Sequence, residues 1–150
     1  LILEAAALLH EAGKFINDSG YHKHSRYLIA NGHLLGFTQR EKMTIANSVR
    51  FHRKSTPTRT HVDCSSLSFS ELDRLKFLSA ILRIAVPLSR TRQEKVKDVI
   101  LSKSNGGLCF ELVAENEAAI EVEVRSLSRE LTTIGRCLGY EVQLQFRGLT

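Results

Sequence analysis

Histidine and carboxylate side chains recur on three successive predicted helices, and they have the clearest potential for chemistry in this sequence. They are His10, Glu11, His22, His24 and His52. Imidazole and carboxylate groups on facing helices are the ligands with which a helical bundle holds a metal ion. An inward-facing histidine is also a common hydrogen-bonded core residue, so the spacing alone leaves both interpretations open.

Positive charge is concentrated between His22 and His61. This segment holds eight Lys and Arg and five His but a single acidic residue, Glu41. Residues 1–95 carry a net charge of +7, whereas residues 96–150 carry −2. Such a concentration favours an anionic partner, although charge alone does not separate nucleic acid, a phosphorylated metabolite, a polyanion or a merely solvated basic face.

Length and composition exclude several classes of protein. A chain of 150 residues that is 43% hydrophobic and 25% charged predicts a folded domain with its own core. Three cysteines in no C-x-x-C pair predict reduced thiols in a cytoplasmic protein and exclude a zinc ribbon. No apolar run suits a membrane span, and no glycine-rich phosphate loop or nucleophile elbow is present. The sequence opens at Leu1 within a predicted helix, so we expect a fragment of a longer protein.

Residues 1–95 predict a mostly helical part. The capping-box pattern from Thr38 to Glu41 marks one helix start, and Gly32 is the expected left-handed stop of the helix before it. Helices are expected over residues 2–15 and 22–31, from Thr38 to a point before Pro57, and from a cap at Ser70 to Pro87.

Helical periodicity assigns a direction to the side chains of the second and third helices. At 100° per residue, Tyr21, His24 and Leu28 are expected to face inward, and His22, Lys23 and Arg26 to face solvent. On the third helix, Ile45, Val49 and His52 fall on one inward stripe.

Residues 96–150 predict a small β-β-β-α-β subdomain. Alternating residues indicate strands around Val99, from Leu108 to Leu112 and from Ile120 to Val124, with a hairpin turn over residues 104–107. A helix from Ser126 to Gly139 and a final strand over residues 140–146 complete the pattern. The expected fold class is therefore α+β, with a helical domain over residues 1–95 and a small subdomain over residues 96–150.

Five short motifs follow one another along the first part of the chain. They are Ala7–Gly13, Gly20–Ser25, Tyr27–Ile29, Gly36–Thr38 and Arg50–Lys54. In this order they closely resemble the C-terminal region of the exopolyphosphatase and guanosine pentaphosphate phosphohydrolase (Ppx/GppA) family. The resemblance covers about residues 1–90, whereas residues 96–150 agree only loosely.

The resemblance implies a fold and an absent catalytic apparatus. In that family two actin-like domains precede this region, bind Mg²⁺ and hydrolyse the terminal phosphoanhydride, so neither catalytic residues nor a cofactor are expected in this chain. The implied fold of residues 1–95 is an HD-domain-like bundle, truncated at its N-terminus. Glu11 stands beside His10 where HD domains have Asp, and neither Asp63 nor Asp73 matches the final Asp. The HD centre is therefore expected to be degenerate, with a hydrogen-bonded cluster instead of a metal site at His10, Glu11, His24 and His52.

We therefore predict that this region binds inorganic polyphosphate or another polyanion for an exopolyphosphatase, and that it is a candidate homodimer interface. The expected polyphosphate-binding residues are His22, Lys23, Arg26, Arg50, Arg53 and Lys54. Alternatives are a guanosine pentaphosphate phosphohydrolase as the parent enzyme and an HD-type, metal-dependent nucleotide phosphohydrolase. Aromatic residues are sparse on the basic face, mainly Tyr27 and Phe51, which argues against a nucleic-acid reader.

Overall fold

The protein has an α+β fold in which helices precede a small sheet, as predicted. The structure, a computed structural model, describes residues 1–104 and 106–149. Within this part of the chain, no helix is long and apolar enough to cross a membrane. The chain forms two compact units, Leu1–Leu82 and Arg83–Thr150. The division at residues 95 and 96 stays a prediction from the sequence.

Four α-helices and two 3₁₀ turns form the helical part. The α-helices are α1 (Ile2–Leu9), α2 (Tyr21–Asn31), α3 (Gln39–Phe51) and α4 (Phe69–Leu88), and the 3₁₀ turns are Ala12–Phe15 and Val62–Cys64. The core of the first unit packs apolar side chains from all four helices: Ala6, Ile29, Ile45, Ala46, Val49 and Leu82. α2 packs on both α3 and the turn Ala12–Phe15.

Local sequence signals set several helix ends. Thr38 accepts a hydrogen bond from the Glu41 backbone, and the Glu41 carboxylate accepts one from the Thr38 backbone, so the predicted capping box is confirmed. A second capping box lies at the start of α4. The Ser68 hydroxyl and amide both donate hydrogen bonds to the Glu71 carboxylate, and the Glu71 amide donates to the Ser68 hydroxyl. The predicted cap at Ser70 was therefore wrong by two residues. Gly32 is extended (φ −79°, ψ 166°), so its predicted left-handed conformation was also wrong.

The predicted single helix over residues 2–15 is divided. α1 ends at Leu9, and the following residues turn into the 3₁₀ segment because the Gly13 amide donates a 2.8 Å hydrogen bond to the Ser25 hydroxyl. An ideal Cβ on Gly13 would lie only 2.2 Å from the Tyr21 carbonyl oxygen. Close contact with α2 thus overrides the helical propensity of this segment.

Three strands, two α-helices and one 3₁₀ turn form the rest of the second unit. They are β1 (Asp98–Ser104), β2 (Gly107–Ala114), a 3₁₀ turn (Glu117–Ile120), α5 (Glu121–Ser128), α6 (Leu131–Leu138) and β3 (Glu141–Gly148). β2 lies between β1, which is antiparallel to it, and β3, which is parallel. The register pairs Ser104 with Gly107, as the predicted hairpin requires, while Asn105 of its turn lies outside the described residues.

The third predicted strand was wrong, because residues 117–128 are helical. Asn116 caps this segment by accepting a 2.8 Å hydrogen bond from the Ala119 amide. Ile120, Val124 and Leu127 follow helical spacing, with Ile120 and Leu127 fully buried. The observed order is therefore β-β-α-α-β. The single helix expected from Ser126 to Gly139 is divided between the end of α5 and α6, and Gly139 ends α6 in the left-handed conformation (φ 74°).

Candidate anion-binding site

The N-terminal end of α2 and the C-terminal end of α3 bring together most of the predicted basic residues. α2 begins directly after Gly20, which is left-handed (φ 71°), so Tyr21 and His22 lie in its first turn. α3 ends at Phe51, and His52, Arg53 and Lys54 follow it. Lys54 is itself left-handed (φ 67°), which is uncommon for a residue with a side chain.

The prediction that His22 faces solvent was wrong. Its side chain is 1% exposed, and the inward face of α2 consists of Tyr21, His22, Ser25 and Ile29. Because α2 packs on two neighbours, its buried face is wider and more polar than hydrophobic periodicity indicates. His24, which was expected on the inward stripe, is half-buried.

His22 has a strongly perturbed environment. Burial lowers its pKa to about 3, and the positive charges of Arg50, Arg53 and Lys54, together with His52, act in the same direction. The ring is therefore neutral at physiological pH. Among the described residues, neither His22 ring nitrogen has a hydrogen-bond partner.

His52 lies beside His22 in a buried aromatic cluster. Its ring centroid is 6.4 Å from that of His22 and 5.5 Å from that of His10. His52 Nδ1 lies 2.6 Å from the Val49 carbonyl oxygen, so it donates, and Nε2 is left to accept the 3.2 Å hydrogen bond from the Tyr21 hydroxyl. The predicted inward position of His52 is confirmed, since its side chain is 2% exposed.

Arg26 and Arg50 form a basic cluster together with His22. Arg26 Nη2 lies 2.5 Å from Asp63 Oδ1, and Arg50 is close enough for both Arg26 and Asp63 to affect its pKa, which burial lowers. Asn47 also contacts the Asp63 segment, where its Nδ2 donates to the Asp63 carbonyl oxygen at 3.2 Å. Arg26 Nε and Arg50 Nη1 are buried and, among the described residues, have no hydrogen-bond partner.

The remaining basic residues surround Tyr21 or face solvent. The Arg53 guanidinium stacks 4.8 Å above the centroid of the Tyr21 ring, and Lys14 Nζ lies 5.2 Å from the same centroid. Arg53 is half-buried, whereas Lys23 and Lys54 are exposed. These cations place an electropositive surface around the buried His22.

The residues that were expected to form a degenerate HD centre are partly dispersed. His10 Nε2 lies 3.8 Å from Glu11 Oε1, but His10 Nδ1 bonds to the Ala7 carbonyl oxygen at 2.6 Å, and Lys14 pairs with the Glu11 carboxylate. His10 approaches His52 through their rings. In residues 1–104 and 106–149, no three His, Cys, Asp or Glu side chains are grouped so that they could hold a metal ion.

Two parts of the site escaped the sequence analysis. The sequence offers Asp63 only as an unconvincing match to the final HD Asp, yet it is the carboxylate that engages Arg26. Ser25 was not identified, although its hydroxyl links the Gly13 amide to the His10 carbonyl oxygen. The sequence signal for Asp63 is its place as the first acid after the basic segment, whereas nothing in the spacing of Ser25 distinguishes it from a surface serine.

A family model described as Ppx/GppA phosphatase, domain III, matches residues 1–129. The chain belongs to the Ppx/GppA phosphatase family. The resemblance carried by the five motifs is thereby confirmed. The match extends past β2 to the end of α5, so the family region includes most of the second unit.

Two similar proteins share the name guanosine-5'-triphosphate,3'-diphosphate pyrophosphatase. The protein from Pseudoalteromonas translucida (strain TAC 125) is 37% identical over 95 residues, which are 63% of this chain and 18% of the relative. The protein from Vibrio vulnificus (strain YJ016) is 30% identical over 139 residues, which are 90% of this chain and 27% of the relative. The chain thus spans about a fifth to a quarter of the relatives that it matches.

Proposed function

We propose that this chain is the C-terminal phosphate-chain-binding region of an exopolyphosphatase, whose actin-like catalytic domains would use Mg²⁺ and release terminal phosphate from inorganic polyphosphate. One observation carries the proposal: the positive charges of Arg50, Arg53 and Lys54 all act on the buried His22, and that of Arg26 acts on Arg50. Each unit of a phosphate chain carries about one negative charge, and Arg and Lys are the side chains that bind it. A cytoplasmic location and homodimerisation belong to the same proposal.

The division between exposed and buried residues suggests how such a chain is held. Lys23 and Lys54 would follow the ligand along the surface, and the half-buried Arg26, Arg50 and Arg53 would approach it from below. His22 lies beneath them, so it is a contact only for a group that enters the cluster.

Titration of the chain with linear polyphosphate at several salt concentrations tests the proposal. The dissociation constant should rise steeply with salt, because binding releases counterions from the polyanion. Arg53→Ala combined with Lys54→Ala should reduce the slope of log affinity against log salt by about 1 to 2. The loss of Arg53 stacking on Tyr21 should cost no more than about 1 kcal/mol of stability.

A matched control removes the same charge from the second unit. Arg129→Ala with Arg136→Ala deletes two exposed cations there. If both double variants weaken binding equally, the interaction depends on net charge and the proposed surface is wrong. Competition by single-stranded RNA at fixed salt separates a polyphosphate preference from general polyanion binding.

A guanosine pentaphosphate phosphohydrolase is the second candidate for the parent enzyme. It is favoured by the name that both relatives carry. Competition between guanosine pentaphosphate and inorganic polyphosphate for this chain distinguishes the two. Displacement of polyphosphate by equimolar pentaphosphate, but not by inorganic tetraphosphate, would support the second candidate.

We also propose that the helical unit keeps an HD-like arrangement without HD activity. Lys14 already engages the Glu11 carboxylate, and His10 is held by the Ala7 carbonyl. The expected result is that the chain hydrolyses no nucleotide when Mn²⁺ is supplied. Chelator-sensitive hydrolysis would instead establish a metal-dependent phosphohydrolase.

A further inference from the structure

The buried nitrogens of the basic cluster have an unusual hydrogen-bonding state. Both ring nitrogens of His22, Nε of Arg26 and Nη1 of Arg50 are buried and lack a partner among the described residues. A buried donor without a partner loses its hydrogen bonds to water and gains nothing in return, which makes it costly to the fold. Three such side chains in one region therefore need an explanation.

An oxyanion is the ligand that these groups share. Arg26 and Arg50 offer fixed cationic donors, and the neutral His22 ring has one N–H to donate. This cluster already binds one anionic group of the chain itself. The Asp63 carboxylate pairs with Arg26, and its charge also acts on Arg50. Arg26 and Arg50 are half-buried, so the cluster reaches the surface.

We infer that His22, Arg26 and Arg50 form an anchor that binds a single phosphoryl group of the bound phosphate chain. The anchor contributes to the binding free energy in a different way from the exposed cations around it. This inference rests on the proposed function and deepens it. The anchor makes short hydrogen bonds in a desolvated place, whereas Lys23 and Lys54 attract the chain through water. The contribution of the anchor contacts to polyphosphate affinity should therefore change little with salt concentration, whereas the contribution of the surface contacts should fall as salt rises.

His22→Leu is the sharpest test, because a ligand-binding role and a structural role predict opposite results. If His22 serves the ligand, replacing it with an apolar side chain should leave the unfolding free energy unchanged or raise it, while polyphosphate affinity falls about tenfold at both low and high salt. If affinity is unchanged, or if stability falls and affinity does not, the anchor is overturned.

Arg50→Lys supplies a second variant that keeps the charge and removes the planar fork. It should weaken binding of polyphosphate and of inorganic pyrophosphate several-fold. Arg40→Lys is the matched control, since Arg40 pairs with Glu71 and not with this cluster. If Arg50→Lys and Arg40→Lys bind polyphosphate and pyrophosphate with equal affinity, the anchor is contradicted.

Nitrogen-detected NMR of the His22 ring adds a direct readout. Inorganic pyrophosphate should shift the His22 ring nitrogen resonances of the wild-type chain, and this shift should be lost in Arg50→Lys. If the wild-type chain binds no polyphosphate at any salt concentration, the proposed function fails. If it binds but His22→Leu binds equally well, only the anchor fails.

Discussion

The Asp63 carboxylate holds the Arg26 guanidinium, with Oδ1 2.5 Å from Nη2. Both side chains are partly buried, and Arg50 lies close enough for its pKa to be affected by both of them. An acid of the chain itself thus neutralises part of the basic cluster. A bound phosphate group would compete with this carboxylate for the same donors.

Asp63→Asn should therefore strengthen polyphosphate binding. Removing one negative charge beside Arg26 and Arg50 should lower the dissociation constant roughly fivefold to tenfold at low salt, which corresponds to about 1 kcal/mol. Isothermal titration with linear polyphosphate measures the change. Asp73→Asn, which removes an exposed acid paired with Lys76, is the control. Weaker binding by Asp63→Asn would mean that Asp63 orders Arg26 for the ligand instead of competing with it.

His22 should make the protein sensitive to mild acid. Its pKa is about 3 in the folded chain and about 6.5 when it is unfolded, so the unfolded state binds more protons between these values. Stability is unaffected above pH 6.5 and is lost as the pH falls, by about 2 kcal/mol at pH 5. Urea unfolding of wild type and His22→Leu at pH 7.5 and 5 isolates this contribution. If the unfolding free energies of wild type and His22→Leu fall equally between pH 7.5 and 5, His22 does not cause the acid sensitivity.

Gly13 should be intolerant of any side chain. A Cβ there would meet the Tyr21 carbonyl oxygen at 2.2 Å and the Ser25 amide nitrogen at 2.3 Å, both of which are backbone atoms. We expect Gly13→Ala to lower the unfolding free energy by about 2 to 4 kcal/mol. Gly148→Ala is the control, because a Cβ at Gly148 meets no atom of the described residues within 4 Å. A change of less than about 0.5 kcal/mol in Gly13→Ala would show that α2 can move away from the 3₁₀ turn.

Ser68, and not Ser70, should determine the start of α4. Ser68→Ala is expected to cost about 1 kcal/mol, and Ser70→Ala much less, because only Ser68 completes the box with Glu71. Hydrogen bonds from the Ser68 side chain and backbone, and from Arg40, lower the pKa of Glu71 to about 2. The stabilisation is present above about pH 4.5 and is lost as the pH falls towards 2, so the cost of Ser68→Ala should shrink over that range. Thermal unfolding at pH 7 and pH 3 tests both statements.

Local signals explain the parts of the fold that could be predicted from the sequence. The capping box at Thr38, the Ser104–Gly107 hairpin and the Gly139 stop each depend on residues within four positions of one another. The family motifs likewise identified the chain, because they are contiguous in sequence. These features need no knowledge of what packs against them.

The alternation from Ile120 to Val124 shows where local signals fail. Valine and glutamate alternate there with a period of two, yet Ile120, Val124 and Leu127 also fit a helix. The Asn116 cap favours the helix, and the buried Glu123 carboxylate accepts hydrogen bonds from the Thr91 hydroxyl and amide at 2.5 and 3.1 Å. Thr91 lies 32 positions away, so no local pattern could assign Glu123 to the interior.

The sequence by itself determined the fold class, the family and the concentration of basic residues between His22 and His61. Only the tertiary structure decided which of those residues are buried. His22 is covered because α2 packs on two neighbours at once, and Arg26 meets Asp63 across 37 positions. Hydrophobic periodicity records only the apolar face of a helix, so polar side chains that face a neighbouring element become visible only when the elements are packed together.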